Sequence, residues 1–375
     1  MADRVRSMCV CAGIRRAEER LDGTGSRGHL AIRTIHGGLP MAAHKFDVLG
    51  LGNAIVDVIA PVDEDFLVKA RLRKGGMQLV DEAQAEALYD AMGATTIVSG
   101  GSAANTIAGV ASFGGKGAFV GKVRADEAGH AFAHDIKAAG VHFATPAAAE
   151  GPATARCLVL VTPDGQRTMN TFLGACQNLT RADIDAADVA ASKILYLEGY
   201  LWDPPEAKKA FIEAARIAHD AGREVALTLS DLFCVDRHQQ EFLSLIRDGV
   251  VDILFANESE LHALYQTADF DIALAALRQE NILAAVTRSE KGAVVVKGAE
   301  TFAVPAAPID NLVDTTGAGD LFAAGFLTGY TRDEPLGRCA RLGSLAASEI
   351  IQHYGARPEV VLARLAEQSE YLHAL

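Results

Sequence analysis

Residues 193–230 read KILYLEGYLWDPPEAKKAFIEAARIAHDAGREVALTLS, two short apolar runs on either side of one amphipathic segment. The outer runs, KILYLEG (193–199) and EVALTLS (224–230), have the length and branching of buried strands. Between them Pro204 and Pro205 open, and Gly222 closes, a segment whose apolar residues recur at helical spacing. The unit is therefore strand, helix, strand. Working outward, FDVLGL (46–51), TTIVSG (95–100), GAFVGKV (117–123), VDILFAN (251–257) and LAAVT (283–287) repeat the apolar run expected of strands buried on both faces of a parallel sheet. Amphipathic stretches such as DEAQAEALYDAMG (81–93) and DEAGHAFAHDIKAAG (126–140) lie between them. This alternation predicts an α/β fold: a doubly wound, mostly parallel sheet with helices on both faces and ligands at the carboxyl ends of the strands.

Two stretches break the rhythm. AIVDVIAPV (54–62) follows the first strand with no helix between, and TARCLVLVTPDGQRTMNTFLGA (154–175) is two strand-like runs joined by Pro163-Asp164-Gly165, a hairpin signal. Together they predict a small β-strand lid contributed from about 54–62 and 153–175, able to exclude water from a site beneath it. Taken singly, either is equally an ordinary surface hairpin.

The chain has 375 residues, 50% of them hydrophobic, enough for a large core. Its 48 acidic residues outnumber 35 basic ones and give −13, the wrong sign for a chain held on nucleic acid by phosphate contacts. A small-molecule ligand is expected instead. No run of eighteen apolar residues is present, so no membrane-spanning helix is expected. Cys9, Cys11, Cys157, Cys176, Cys234 and Cys339 show no C-x-x-C pairing, which fits a reducing, cytoplasmic compartment without a zinc site. Residues 1–44 stand apart: their first forty positions hold seven Arg, no Lys and no sustained period. We read them as a disordered N-terminal extension to a domain spanning 45–375, with Met41 as an alternative start.

Gly50-Leu51-Gly52-Asn53 begins like a dinucleotide fingerprint but fails, because Ile55 fills the third glycine position and a strand follows where a helix is required. That argues against a nicotinamide dehydrogenase. The stronger phosphate site is Asp314-Thr315-Thr316-Gly317-Ala318-Gly319-Asp320, leading into the apolar run LFAAGFLTGY. Small residues at a helix N-terminus let the backbone N–H groups of 317–320 converge as an anion hole. Asp320 there is placed to take a proton from a hydroxyl, and a hole beside a base is the minimum equipment for phosphoryl transfer. A lone GAGD is also an ordinary helix cap. Three further polar groups sit at predicted strand ends. Gly100, Gly101 and Asn105 follow TTIVS; Asn53 and Asp57 suit vicinal sugar hydroxyls; Asn257 to Glu260 ends VDILFA. A binding protein would keep such loops and dispense with the base, which Asp320 speaks against.

DTTGAGDLFAAGFL (314–327) and SGGSAANTIAGVASFGG (99–115) resemble the two signatures of the ribokinase-like PfkB carbohydrate and nucleoside kinases, and the similarity extends over roughly residues 45–375. The resemblance implies ATP-dependent phosphorylation of a primary alcohol, with Asp320 as base and Gly317, Ala318 and Gly319 as anion hole. It makes Asn257 and Glu260 the N-x-x-E element that organises Mg²⁺ through water. Thr287 and Gly292 become the nucleotide-binding turn, in which Ser289 replaces a glycine common in the family. Asp314 and Thr316, with the Gly355-Ala356-Arg357-Pro358 loop, resemble a monovalent-cation site, which brings K⁺ into consideration. Asn53, Asp57, Gly100, Gly101 and Asn105 resemble the acceptor-binding set, and Phe172 in the lid hairpin is the candidate to stack on a base. The 198–205 and 164–170 stretches are most similar to bacterial adenosine kinase-like members, with a ribokinase-like sugar kinase as the alternative. Pairing of two copies through the lid is a further expectation from the family.

Overall fold

The computed structural model describes residues 44–373; the expected extension, His44 aside, lies outside them. The fourteen strands among the described residues are β1 (Phe46–Leu51), β2 (Ile55–Pro61), β3 (Met77–Leu79), β4 (Thr96–Gly100), β5 (Gly117–Val120), β6 (His142–Phe143), β7 (Ala155–Val161), β8 (Arg167–Phe172), β9 (Ser192–Glu198), β10 (Glu224–Thr228), β11 (Ile253–Asn257), β12 (Leu283–Thr287), β13 (Ala293–Lys297) and β14 (Glu300–Val304). Nine form one sheet in the order β14-β13-β12-β11-β10-β9-β1-β5-β6. It is parallel from β6 through β12, and the hairpin β13-β14 completes its other edge antiparallel.

Strand periodicity explains why helices cover both faces. Val48, Ile194 and Tyr196 face one core, shared with the helices Ser102–Ser112, Ala318–Tyr330 and Leu336–Ile350. Leu49, Leu51, Leu195 and Leu197 face the other, against Pro205–Asp220 and Leu232–Arg247. Pro205 takes the first position of its helix, where the missing N–H costs nothing.

The other five strands make a second sheet in the order β3-β8-β7-β2-β4. Val56, Val58, Ala60, Leu158 and Leu160 bury its outer face beneath the helices Glu82–Ala91 and Glu127–Ala138, with Ala85, Phe132 and Ile136 in the same core. The alternate residues Ile55, Asp57, Ile59, Cys157 and Val159 face the cleft below. The turn at 163–165 closes through Gly165 N–H to the Thr162 carbonyl at 2.8 Å.

One expected strand is in the wrong sheet. TTIVSG was expected in the large parallel sheet, yet Thr96–Gly100 pairs only with β2, antiparallel, at the edge of the small sheet. Thr96 and Ile97 are exposed there, so the run is not buried on both faces. A short apolar run carries no information about which sheet receives it; that depends on its pairing with the distant β2.

Candidate active site

The two sheets enclose a cleft of about 1240 Å³, larger than the ~300–1,000 Å³ usual for one small ligand and suited to two side by side. At its centre Asp320 lies in the first turn of the helix Ala318–Tyr330. Ser102 donates its hydroxyl to Oδ1 of Asp320 at 2.7 Å, and Asn105 donates Nδ2 to Oδ2 at 2.9 Å. Burial raises the Asp320 carboxyl above its ordinary range, while Asn105, Ser102 and the charge of Arg357 pull it down. A carboxylate so held is oriented and more basic than one in water, as a general base must be.

Gly317 caps this helix at φ 79°, and a Cβ there would lie 2.8 Å from that of Ala356, so both conformation and space require glycine. The first-turn N–H groups of Gly319 and Asp320 have no acceptor within the helix. Ala318, expected in the anion hole, turns its N–H back to the Thr315 carbonyl at 3.2 Å. That N–H is thereby used within the turn. A Cβ on Gly319 would meet nothing within 4 Å, so the absent side chain leaves open space for a ligand.

The loops after β1 and β4 are tied together by Glu198, which sequence reasoning passed over. Its carboxylate, 1% exposed at the end of β9, accepts from Asn53 Nδ2 at 2.7 Å and from Ala103 N–H at 2.8 Å. Desolvation pushes it up to about 7 against those hydrogen bonds. Glu198 thus joins the loop after β1 to the loop after β4. Gly101, at φ 95°, passes so close to Asn53 that a Cβ would stand 2.1 Å from its carbonyl oxygen. Asp57 faces the cleft from β2; burial and the nearby Asp320 carry it up to about 6, although Arg357 and Arg167 act against them. Gly100 lies behind it, a Cβ there falling 2.5 Å from Asp57 Oδ2. Asn105 Oδ1 is buried without a partner, an acceptor left for a ligand hydroxyl.

Phe172 does not face the cleft. It is buried in the core on the outer face of β8, because the cleft-facing residues of that strand are Arg167, Met169 and Thr171, of the opposite parity. Arg167 is the more consequential residue and was missed. Its Nη1 pairs with Asp314 Oδ2 at 2.8 Å, while its buried Nε and Nη2 have no partner. Two unpaired guanidinium donors at the edge of an anion hole suit phosphate. The signal available in the sequence was its parity within the hairpin.

On the donor side, Asn257 and Glu260 form a capping box that opens the helix Glu258–Tyr265. Glu260 Oε1 accepts from Asn257 Nδ2 at 2.7 Å and Oε2 from Asn257 N–H at 2.9 Å, and burial raises Glu260 to about 7. With both oxygens engaged, Glu260 suits a metal ion through water rather than directly. Among the described residues no three His, Cys, Asp or Glu side chains converge as metal ligands. Such a donor set fits Mg²⁺ carried in on nucleotide phosphates, the usual way that ion is held. Thr287 and Gly292 also line the cleft, and Ser289 adopts φ 51°, the left-handed backbone glycine would supply. The Arg357 guanidinium donates to the Ala104 carbonyl at 2.7 Å and to Ser99 Oγ at 2.9 Å.

Fold, lid, anion hole and held carboxylate together define a small-molecule kinase. The chain belongs to the pfkB family of carbohydrate kinases, whose model matches residues 77–361. The solved adenosine kinase of Sinorhizobium meliloti is 56% identical, covers 86% of this chain and 99% of its own, and superposes with a TM-score of 0.81. A probable sugar kinase of Rhizobium etli is 52% identical over 88% of this chain and 99% of its own, with a TM-score of 0.82. Adenosine kinase of Saccharomyces cerevisiae is 29% identical over 328 residues, 81% of this chain and 94% of that protein. No helix among the described residues is long and apolar enough to cross a membrane.

Proposed function

We propose that this protein transfers the γ-phosphoryl group of ATP to the primary 5′-hydroxyl of a nucleoside, adenosine foremost, giving AMP and ADP. The observation that carries the reading is the Asp320 carboxylate, oriented by Ser102 and Asn105 beside the N-terminus of the helix Ala318–Tyr330. The names of the Sinorhizobium and yeast relatives support the acceptor.

Asn53, Asp57 and Asn105 bind the ribose hydroxyls and set the 5′-oxygen near Asp320. Asp320 takes its proton as that oxygen bonds to the γ-phosphorus and the bond to the β-γ bridging oxygen breaks. The N–H groups of Gly317, Gly319 and Asp320, with the free edge of Arg167, hold the charge on the phosphoryl oxygens. Thr287 and Gly292 border the donor nucleotide. Asn257 and Glu260 would hold Mg²⁺ through water, and the ion would supply neutralisation of phosphate charge. The lid closes the acceptor side with Ile55, Ile59, Val159 and Met169, keeping water from the phosphoryl group.

ADP formation measured with adenosine, inosine, ribose, fructose and ketodeoxygluconate at fixed MgATP tests this. Adenosine is expected to give the highest kcat/KM. A free sugar in first place would transfer the assignment to a sugar kinase, the reading that the name of the Rhizobium neighbour supports.

A further inference from the structure

The family resemblance and the geometry part at Asp314. An alkali cation held by Asp314 and Thr316 needs bare oxygen ligands. Oδ1 of Asp314 instead accepts from the Thr316 N–H at 3.1 Å and the Thr316 hydroxyl at 2.8 Å. Oδ2 accepts from Arg167 Nη1 at 2.8 Å and from the Gly355 N–H at 3.3 Å. A carboxylate offers about four acceptor directions, and these four donors use them. The residues present do not fit a bound monovalent ion.

Arg167 brings to Asp314 the positive charge that such an ion would supply. Its side chain and that of Asp314 are each 8% exposed, and the Tyr354 ring lies 5.3 Å from the guanidinium carbon. The Asp314 carboxylate gathers the Thr316 N–H and hydroxyl and the Gly355 N–H, and Arg167 from β8 supplies the cationic partner of that carboxylate. We propose that Arg167 is the built-in cation of this kinase: the lid strand delivers a permanent positive charge to Asp314, fixing the turn that leads into the anion hole and making alkali ions unnecessary. The cation is covalently part of the chain, so the arrangement needs no ion from solution.

The proposal rests on the kinase reading for its rate measurement alone. The full chain, Arg167→Met and Arg167→Lys are compared in KCl and in choline chloride at equal ionic strength, by thermal melting and by ADP formation with the best acceptor. The unsubstituted protein is expected to show the same melting midpoint and rate in both salts. Arg167→Met, which keeps length and packing against Tyr354 while losing the charge, should melt several degrees higher in KCl and recover several-fold in rate there. Arg167→Lys should gain much less from KCl, since it retains a charge. Clear stabilisation or activation of the unsubstituted protein by KCl overturns the proposal, as does an Arg167→Met protein indifferent to it. Should Arg167→Met fail to fold in either salt, the unsubstituted protein decides: indifference to KCl supports the proposal and stabilisation overturns it. Melting requires no acceptor, so a chain inactive on every acceptor would sink the kinase reading and leave this arm readable.

Discussion

The Ser102 hydroxyl reaches Oδ1 of Asp320 at 2.7 Å although 218 positions separate the two residues. One hydrogen bond therefore ties the first turn of the helix Ser102–Ser112 to the first turn of the helix Ala318–Tyr330 and fixes the carboxylate in the cleft.

Asp320→Asn should fold and bind both substrates near normally while kcat falls by ~10²–10⁴, because it removes a proton acceptor needed only in the transition state. In the unsubstituted enzyme the rate should fall as pH drops through the raised Asp320 pKa, since the protonated carboxyl cannot accept a proton. Steady-state rates over pH and melting curves check both. Near-native turnover in the variant would remove Asp320 from the base role.

Asp57 should act on the acceptor alone. Its carboxyl titrates at about 6, so acceptor KM should rise as pH falls below that value and a hydroxyl-binding carboxylate is lost. KM for ATP should stay level. Asp57→Asn should show a high acceptor KM with this pH dependence abolished; parallel changes in both KM values would place Asp57 elsewhere in the mechanism.

Glu198 carries a stability cost at neutral pH. Its folded pKa is raised to about 7 from 4.5, so its favourable contribution to folding is full below 4.5 and is lost as pH rises through 7. The stability of the unsubstituted protein relative to Glu198→Gln should therefore decline from pH 5 to pH 8 in urea titrations. A flat or rising difference would contradict the desolvated carboxylate. Acceptor KM should rise in the variant, since Asn53 and Ala103 lose a shared anchor.

The same substitution at two glycines should separate folding from ligand binding. Gly101→Ala places a Cβ 2.1 Å from the Asn53 carbonyl oxygen at φ 95°, and roughly 1–3 kcal/mol of stability or more should be lost. Gly319→Ala meets nothing within 4 Å, so its melting temperature should hold while its methyl group intrudes on the phosphate site and impairs turnover with ATP. Equal melting losses in the two variants would contradict this division.

What the sequence determined by itself was local. Apolar period and end signals around 193–230 gave alternating strands and helices, because a buried strand and a helix starting at Pro205 leave their marks within a few residues. The glycine-rich turn ending at Asp320 was legible for the same reason: φ 79° at Gly317 and a helix N-terminus are properties of neighbouring residues. Tertiary structure alone decided what depends on distant partners. TTIVSG joined the lid by pairing with β2, and Phe172 turned to the core because strand parity puts it on the face opposite Arg167. Glu198 at the end of β9 and Arg167 in the lid gained their roles from groups far along the chain, Asn53 and Asp314. A buried carboxylate or guanidinium is defined by what replaces its water. In this protein those replacements come from loops and strands that only the closed fold brings together.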